Sequence, residues 1–503
     1  MSLFYCIIKL GDSMSLSKSK YCDGIQCKKK LWLETFKPEV REEVDNESVF
    51  ENGNKVGELA RNLFKNHKDV SFNNNLNEMI KETNECLKEK NVVICEASFN
   101  YDNNFCSVDI LKKDNNEYEI YEVKSSTGIS DIYLDDISYQ YYVLSNLGLN
   151  VKKCFIVYLN NKYYRKGELE LDKLFNKEDV TLIAKDKFNE IEDNIKELNK
   201  SLSNKNEPNI DLGVYCSKPY DCEFFKYCSK HLPEQNIFNI RGLNFKKKIE
   251  LYNKGIYKYE DVLKEKLKDD YREQVEFELY NLEDKINIEN IKKFMKTISY
   301  PLYFLDFETY QESIPSYDGI CPYMKIPFQY SLHYIEEKGG EVKHKEFLSE
   351  GGVDPRRLLA ERLVEDIPMN KCVLAYNMSF EKNVIKKLAS IYPDLSNHLM
   401  NIHDNIKDLM IPFKNRDYYT KNMFGSYSIK YVLPALFPND PSLDYHNLDM
   451  IHNGSEASNT FADLDKFSKE ELEKVRENML KYCELDTYAM VKIYKKLDEI
   501  IEE

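Results

Sequence analysis

No apolar run in this 503-residue chain approaches the ~20 residues a helix needs to cross a bilayer, so no segment reads as a membrane span. The opening "MSLFYCIIKL" is apolar but short, and it lacks a signal-peptide cleavage site. "MSLSKSKY" begins at Met14, so residues 1 to 13 read as an upstream extension outside the first domain, and the expected compartment is the cytoplasm. Internal repeats and low-complexity tracts are also missing, beyond local Asn and Lys richness, which sets repeat architectures aside. Net positive charge is lacking too. The formal charge of -15 argues against a non-specific DNA coat protein. It says little against an enzyme gripping a few nucleotides in a cleft, because net charge does not report a local patch and carboxylate metal sites are themselves negative.

What is present suits a soluble globular protein: 42% of residues are hydrophobic and 31% charged. The length predicts two or three domains. Thirteen cysteines without a secretory signal point to thiols, metal ligation or cluster ligation in a reducing compartment rather than a disulfide framework.

Three regions follow from the patterning. Residues 15–235 begin with a short basic helix around "CKKKLWL" and the helical "ENGNKVGELARNLF". Strands are predicted at 92–99, 104–112, 118–124 and 153–159, with helices near 135–147 and 183–201. Residues 236–298 show almost no strand signal, and "LNFKKKIELYNKGIYKYEDVLKEKL" reads as helix, Gly-containing turn, helix. Residues 299–503 open with a strand and continue with strands near 327–336 and 341–348. A helix near 354–367, the strand "KCVLAY" and several closing helices complete an α/β domain with a mixed sheet.

That opening strand, "YFLDFETY", carries Asp306 and Glu308 inside an apolar run. Strand period two aims both carboxylates the same way, and burying like charges side by side is costly without a neutralising partner. The bland alternative is an edge strand whose acids face water. Further on, "NMSFEKNVIKKLA" reads as a turn and a helix, with Asn377 before the helix and Glu381 in its first turn. In "MLKYCELDTYAMVKIYKKL", Tyr482 and Asp486 stand four residues apart on one helix face. Alone that pair is a solvated face in most proteins; with the other acids, a metal site explains it better.

These residues resemble the DnaQ-type exonucleases of the ribonuclease-H-like superfamily, whose four acids hold two divalent ions. Asp306 and Glu308 in "DFET" match the first motif, and Glu381 in "YNMSFE" matches the second, where the usual pattern has Asp. Asp486 matches the last acid, and Tyr482 the general-base position of the tyrosine subtype. Asp408 in "IKDLM" lies where such enzymes carry a further acid, as metal ligand or supporting acid, and "GSYSIKYVLPAL" resembles a helix that packs on the sheet. The resemblance implies two Mg²⁺ or Mn²⁺ ions about 4 Å apart, activating a water and stabilising a leaving oxygen.

A second set of acids lies in "NNFCSVDILKKDNNEYEIYEVKSS". If Asn115 and Asn116 form a two-residue hairpin loop, Asp109 and Glu122 fall opposite each other and Lys124 shares the face of Glu122. The alternative is a solvated hairpin with unrelated charges. The arrangement resembles the PD-(D/E)XK nucleases of the RecB-like, CRISPR-associated branch. Asp109 and Glu122-Val-Lys124 match the core motif, and Gln140 matches the glutamine that follows it, although Leu144 stands where the branch often has Tyr. Glu58, in "GNKVGELARNLF", occupies the approximate place of a His or Glu near the metal, so one or two further ions are implied here.

Cys216, Cys222 and Cys228 lie within thirteen residues, a spacing unlike a pair of C-x2-C knuckles. Their fourth partner is Cys27 or Cys22. RecB-like nucleases with a [4Fe-4S] cluster take one Cys from near the N-terminus and three from the C-terminal end, a layout that Cys27 fits better; zinc is the alternative.

Taken whole, the chain resembles an uncharacterised bacterial family joining a RecB-like nuclease to a C-terminal DnaQ-like exonuclease. The implied fold class is α/β multidomain: a PD-(D/E)XK restriction-endonuclease-like domain at 15–235, a helical connector at 236–298 and a ribonuclease-H-like domain at 299–503. The connector resembles a degenerate helix-hairpin-helix, with a plain spacer as the alternative. The implied activity is metal-dependent phosphodiester hydrolysis on nucleic acid, DNA with single-stranded ends before RNA, trimming ends in repair or processing foreign DNA. The competing expectation is a non-catalytic nucleic-acid-binding or interaction protein with degenerate sites.

Overall fold

The apolar runs of the N-terminal half fold as strands covered on both faces. In the computed structural model, which describes residues 16–43 and 47–502, helices α1 (Lys18–Gln26), α2 (Lys28–Phe36) and α3 (Glu47–Arg61) precede strands β1 (Asn91–Tyr101), β2 (Asn104–Asp114) and β3 (Glu117–Lys124). Helix α4 (Asp131–Asn146), strands β4 (Asn150–Leu159) and β5 (Phe175–Asp179), and helix α5 (Phe188–Ser203) follow. The extension expected over residues 1 to 13 lies outside the described residues. Successive residues alternate faces. Leu111, Ile120 and Ile156 pack with Tyr139 of α4 and Ile191 of α5, whereas Ile110, Tyr121 and Val157 pack with Val56 and Ala60 of α3. Burial on both sides is why these strands read as continuous apolar runs rather than clean alternation.

The sheet order is Lys68–Asp69, β1, β2, β3, β4, β5, and a further two-residue strand, Leu16–Ser17, pairs with β2 in parallel. The β1–β2 and β2–β3 pairs are antiparallel; β3 and β4 are parallel, joined through α4. The β2–β3 register runs Asp114↔Glu117 to Ile110↔Tyr121, leaving Asn115 and Asn116 as a two-residue loop, with Asn115 at φ 56. Asn tolerates that left-handed conformation.

Chain contacts divide the molecule into two units. The described residues to Pro233 and the segment Glu312–Met324 form one; Glu234–Gln311 and the described residues from Lys325 form the other. Within the first, Arg165 Nη1 donates to the carbonyls of Pro315 and Ser316, each at 2.9 Å. The stretch read as a connector therefore groups with the C-terminal unit. It holds the helix Phe245–Tyr252, a turn with Gly255 at φ 78 and the helix Tyr259–Val262. Its Lys285–Ile286 pairs antiparallel with Tyr418–Tyr419, a two-residue bridge too short to leave a sequence period.

The second unit is built on a mixed sheet of β6 (Leu302–Tyr310), β7 (Ile326–Ile335), β8 (Val342–Leu348), β9 (Cys372–Ala375) and β10 (Ile406–Asp408), in the order β8, β7, β6, β9, β10. Helix α6 (Ser379–Ile391) follows β9, and α7 (Gly454–Ala462) and the long α8 (Lys469–Glu502) close the chain. Tyr303, Leu305 and Phe307 pack with Ile385 of α6. Leu302 and Phe304 take the other face, against Met490, Tyr494 and Leu497 of α8. Asp306 and Glu308 continue the Leu302–Phe304 face by strand period, so they meet the helix that carries Tyr482 and Asp486.

Candidate functional site

Local geometry on β6 and α8 brings the C-terminal acids together. Ligand oxygens of Asp306, Glu308 and Asp486 all lie within 4.8 Å of one another. Burial pushes the Asp306 carboxyl well above its ordinary range, and Asp486, Glu308 and Glu381 add repulsion. Glu308 is pushed up to about 8 by burial and then by Asp486, with Lys430 opposing. Asp486 rises to about 6 through burial, held back by donation from Tyr445, by the charge of Lys430 and by donation from Tyr482. The Tyr445 hydroxyl donates to Asp486 Oδ1 at 2.5 Å. Burial, then Asp486 and Glu308, raise Tyr482 far above an ordinary phenol. It stays protonated. Lys430, the cation acting on both Glu308 and Asp486, sits on the "SIKYVL" helix and is exposed.

Glu381 stands in the first turn of α6, 1% exposed, and its Oε2 has no hydrogen-bond partner among the described residues. Burial and then Asp408 push its carboxyl up to about 8. Asp408 behaves differently. Its Oδ1 accepts the backbone N–H of Asn377 at 2.9 Å and of Met410 at 3.0 Å. Asn377 takes the left-handed conformation at φ 69, and Asp408 braces the turn that aims Glu381 inward. Of the two roles open to it, bracing is the one its bonds describe. Gly454, at the start of α7, closes the pocket: a Cβ there would lie 3.4 Å from Glu308 Oε2 and 4.0 Å from the Tyr482 hydroxyl.

The first unit also gathers its acids, with cations of its own. Pairing of β2 with β3 ends at Ile110↔Tyr121, and β3 continues along β4 with Glu122↔Ile156. Where the strands part, Asp109 Oδ2 accepts the Val123 N–H at 2.7 Å. Leu16–Ser17 pairs with the start of β2, pinned by the Tyr139 hydroxyl on the Leu16 carbonyl at 2.6 Å. The next residue, Lys18, opens α1 and sends its ammonium to Glu122 at 3.0 Å and Asp109 at 3.5 Å. Lys124 bonds Glu122 at 2.7 Å and Asp136 at 2.6 Å. Gln140 donates to Glu122 at 2.7 Å and to Asp136 at 3.0 Å. Burial, Asp109 and Asp136 push Glu122 up to about 8 against both lysines. Burial alone would raise Asp136 as well, but Lys124 and Lys18 hold it below the usual carboxylate range.

Asp109, Glu122, Lys124 and Gln140 thus converge, and Glu58 does not join them. It lies on the exposed side of α3, and no hydrogen bond or ion pair ties it to this cluster among the described residues. The acid actually brought close is Glu96. The β1–β2 register, Cys95↔Ile110 and Ala97↔Val108, sets Glu96 across from Asp109. Burial and Asp109 raise its carboxyl, and Arg61 of α3 binds it at 3.0 Å. Glu96 was readable as an acid inside the apolar "VVICEASF", the same signal as "YFLDFETY". Asp136 was readable as the residue one helical turn before Gln140. Lys18, Tyr445 and Gly454 carried no such signal.

Cys27, Cys216, Cys222 and Cys228 line one cavity beside Lys29 and Lys30. Gln26 holds the two segments together, donating to the carbonyls of Tyr215 and Tyr220, each at 2.8 Å. Burial pushes the Cys216 thiol up to about 11 and Cys222 to about 12. Cys22 turns instead to the α1–α4 core, under the influence of Asp136 and Lys124. Four thiols around one cavity fit a metal or cluster donor set.

Residues 303–428 match the family described as "Domain of unknown function (DUF2779)", a span holding Asp306, Glu308, Glu381 and Asp408 but not Tyr482 or Asp486. The chain is 26% identical over 217 residues to "Uncharacterized protein MG366" of Mycoplasma genitalium, covering 40% of this chain and 32% of that protein. It is 24% identical over 254 residues to "Uncharacterized protein UU173" of Ureaplasma parvum serovar 3, covering 46% of this chain and 36% of that protein. The matched stretches thus span about a third of each relative's length. The chain carries a DUF2779 domain and has distant, uncharacterised bacterial relatives.

Proposed function

We propose that this protein is a divalent-metal-dependent nuclease hydrolysing phosphodiester bonds, on DNA rather than RNA. Exonuclease chemistry belongs to the C-terminal acids of a DnaQ-like, ribonuclease-H-like domain, and a second, RecB-like PD-(D/E)XK site belongs to the first unit. One observation carries the reading: ligand oxygens of Asp306, Glu308 and Asp486 lie within 4.8 Å of one another. Buried like charges at such range repel, and a cation is the partner chemistry they lack. The unpaired, buried Glu381 Oε2 points to the same need.

Asp306, Glu308, Glu381 and Asp486 are the residues that would hold Mg²⁺ or Mn²⁺. Such ions, when bound, supply Lewis acidity toward an attacking water and a leaving oxygen. Tyr482, on the helix face of Asp486, would orient that water or take its proton. Tyr445 fixes the rotamer of Asp486. Asp408 holds the Glu381 turn. The cavity of Cys27, Cys216, Cys222 and Cys228 suits a [4Fe-4S] cluster, with zinc as the alternative, clipping the start of the first unit to its final loop.

For the first unit one observation favours a second reading. Lys18 and Lys124 offset two of the three charges of Asp109, Glu122 and Asp136, so this site needs less from a metal than the C-terminal one and suits a nucleic-acid-binding role unless Lys18 withdraws. Digestion of 5'- and 3'-labelled single- and double-stranded DNA and RNA with Mg²⁺ or Mn²⁺ tests both. Asp306→Ala should abolish stepwise trimming, and Glu122→Ala should remove whatever cutting remains. Trimming undiminished in Asp306→Ala would overturn the C-terminal assignment, and identical cutting with and without Glu122 would make the first site non-catalytic.

A further inference from the structure

On the second unit, beside the four acids, where Ser331 pairs with Asp306 and Glu484 stands two residues from Asp486, two histidines and a glutamate form an arrangement that the nuclease reading does not use. His333 on β7 and His344 on β8 are direct partners in the antiparallel ladder, with ring centroids 4.4 Å apart. Glu484 of α8 approaches His344 Nδ1 at 3.9 Å. One ligand atom from each of the three residues lies within 4.8 Å of the other two.

Taking Thr487 as donor to the Glu484 carbonyl fixes the remaining hydroxyl and ring protons. Thr487 Oγ1 donates to the Glu484 carbonyl at 3.1 Å, and a carbonyl can only accept. Thr487 has no second proton, so at its 2.6 Å contact with Ser331 the serine donates. Ser331 then has none left for His344, whose Nε2–H must donate to Ser331 Oγ at 2.9 Å. His333 Nδ1–H likewise donates to Thr487 at 2.7 Å. The bare lone pairs therefore sit on His333 Nε2 and His344 Nδ1, the latter facing a carboxylate. A neutral imidazole whose other N–H is fixed by an oxygen is the form in which histidine binds metal.

We infer that His333 Nε2, His344 Nδ1 and the Glu484 carboxylate form a separate site for a divalent first-row transition ion, zinc by preference. Two imidazoles and one carboxylate suit such an ion better than the hard, all-oxygen preference of Mg²⁺. A tetrahedral ion with ligands at about 2.1 Å spaces its donors about 3.4 Å apart, against at most 4.8 Å in the present arrangement. Glu484 is 47% exposed and His344 23%, so solvent reaches the remaining coordination position. The ion would tie β7 and β8 to α8, the helix that carries Tyr482 and Asp486. The inference is independent of the nuclease reading.

The test uses the full chain and reads the Zn²⁺ uptake that depends on His344 and Glu484, over and above the uptake of the thiols and of the other acids. The protein is stripped with EDTA and titrated with Zn²⁺ by calorimetry. The parent should bind one equivalent more than the His344→Ala and Glu484→Gln variants, or bind that equivalent at least about tenfold more tightly. Both side chains are partly exposed, and circular dichroism checks that the fold is kept. Zn²⁺ should raise the thermal midpoint of the parent more than that of either variant. Equal uptake with and without His344 and Glu484 overturns the site. So does no uptake at all, which would leave His344 and Glu484 as a simple ion pair.

Discussion

Glu308→Gln should stabilise the metal-free protein, reversing the usual effect of changing a buried polar residue. Glu308 is 8% exposed, and its carboxyl moves from 4.5 in an unperturbed chain to about 8 in the fold. Below about pH 4.5 it is protonated in both states and contributes no penalty; the penalty grows as pH rises and is complete above about pH 8. At about pH 7 folding must take up a proton at a cost near 1.36 × (7 - 4.5), about 3 kcal/mol. At about pH 5 the same product falls below about 1 kcal/mol. Glutamine removes the charge, and Gln329 Oε1, on the residue opposite and without a hydrogen-bond partner, can accept the new amide N–H. The variant in EDTA should therefore melt roughly 6–12 °C higher than the parent at about pH 7 and almost level with it at about pH 5. Saturating Mn²⁺ should bring the two nearly level at about pH 7, because an ion at about 100 times its Kd adds about 2.7 kcal/mol to the parent alone. Thermal and urea unfolding at the two pH values, with EDTA or Mn²⁺, read all four cases. A destabilised variant in EDTA at about pH 7, or an equal gain at both pH values, would refute the charge-repulsion argument and with it the electrostatic case for a cation site.

Tyr482→Phe should leave the fold intact and lower kcat about 10²-fold or more with little change in KM, measured on end-labelled DNA in Mn²⁺; an unchanged kcat would remove Tyr482 from the chemistry. Lys18→Met should destabilise the metal-free first unit by about 1–3 kcal/mol, a figure set below that for fully buried pairs because the Lys18 side chain is 22% exposed. Added Mn²⁺ should restore the loss if the ammonium stands where a cation would, and denaturant midpoints with and without Mn²⁺ decide it. Cys216→Ser should abolish the bound iron or zinc found by elemental analysis after anaerobic purification, whereas Cys22→Ser should not. Metal content that depends on Cys22 instead would reverse the assignment of the fourth thiol.

Much of the candidate chemistry was legible because it obeys local periods. "YFLDFETY" places Asp306 and Glu308 on one face whatever lies opposite, and Tyr482 and Asp486 share a helix face by their four-residue spacing. The loop at Asn115 and Asn116 sets the β2–β3 register, so Glu122 and Lys124 could be aligned with Asp109 before any fold was known. Glu58 misled because position along a helix does not say which strand its face covers. Arg61, three residues on, is the side chain of α3 that reaches the acids, through Glu96. Asp408 was ambiguous because a carboxylate's partners here are backbone N–H groups of a turn, which residue identity does not reveal.

The amino-acid order by itself determined the strands, the shared faces of neighbouring acids and the clustering of three thiols, since these depend on dihedral periods and short loops. Only the tertiary structure decided what neutralises each cluster. A charge is answered by whichever side chain long-range packing delivers, and that partner can stand anywhere in the chain. So Lys18 reaches Glu122 across 104 positions, whereas on β6 Glu308 receives the exposed Lys430 and Asp306 is met by further acids. The pairing of β7 with β8, closed by α8, likewise assembled His333, His344 and Glu484 from residues that share no period.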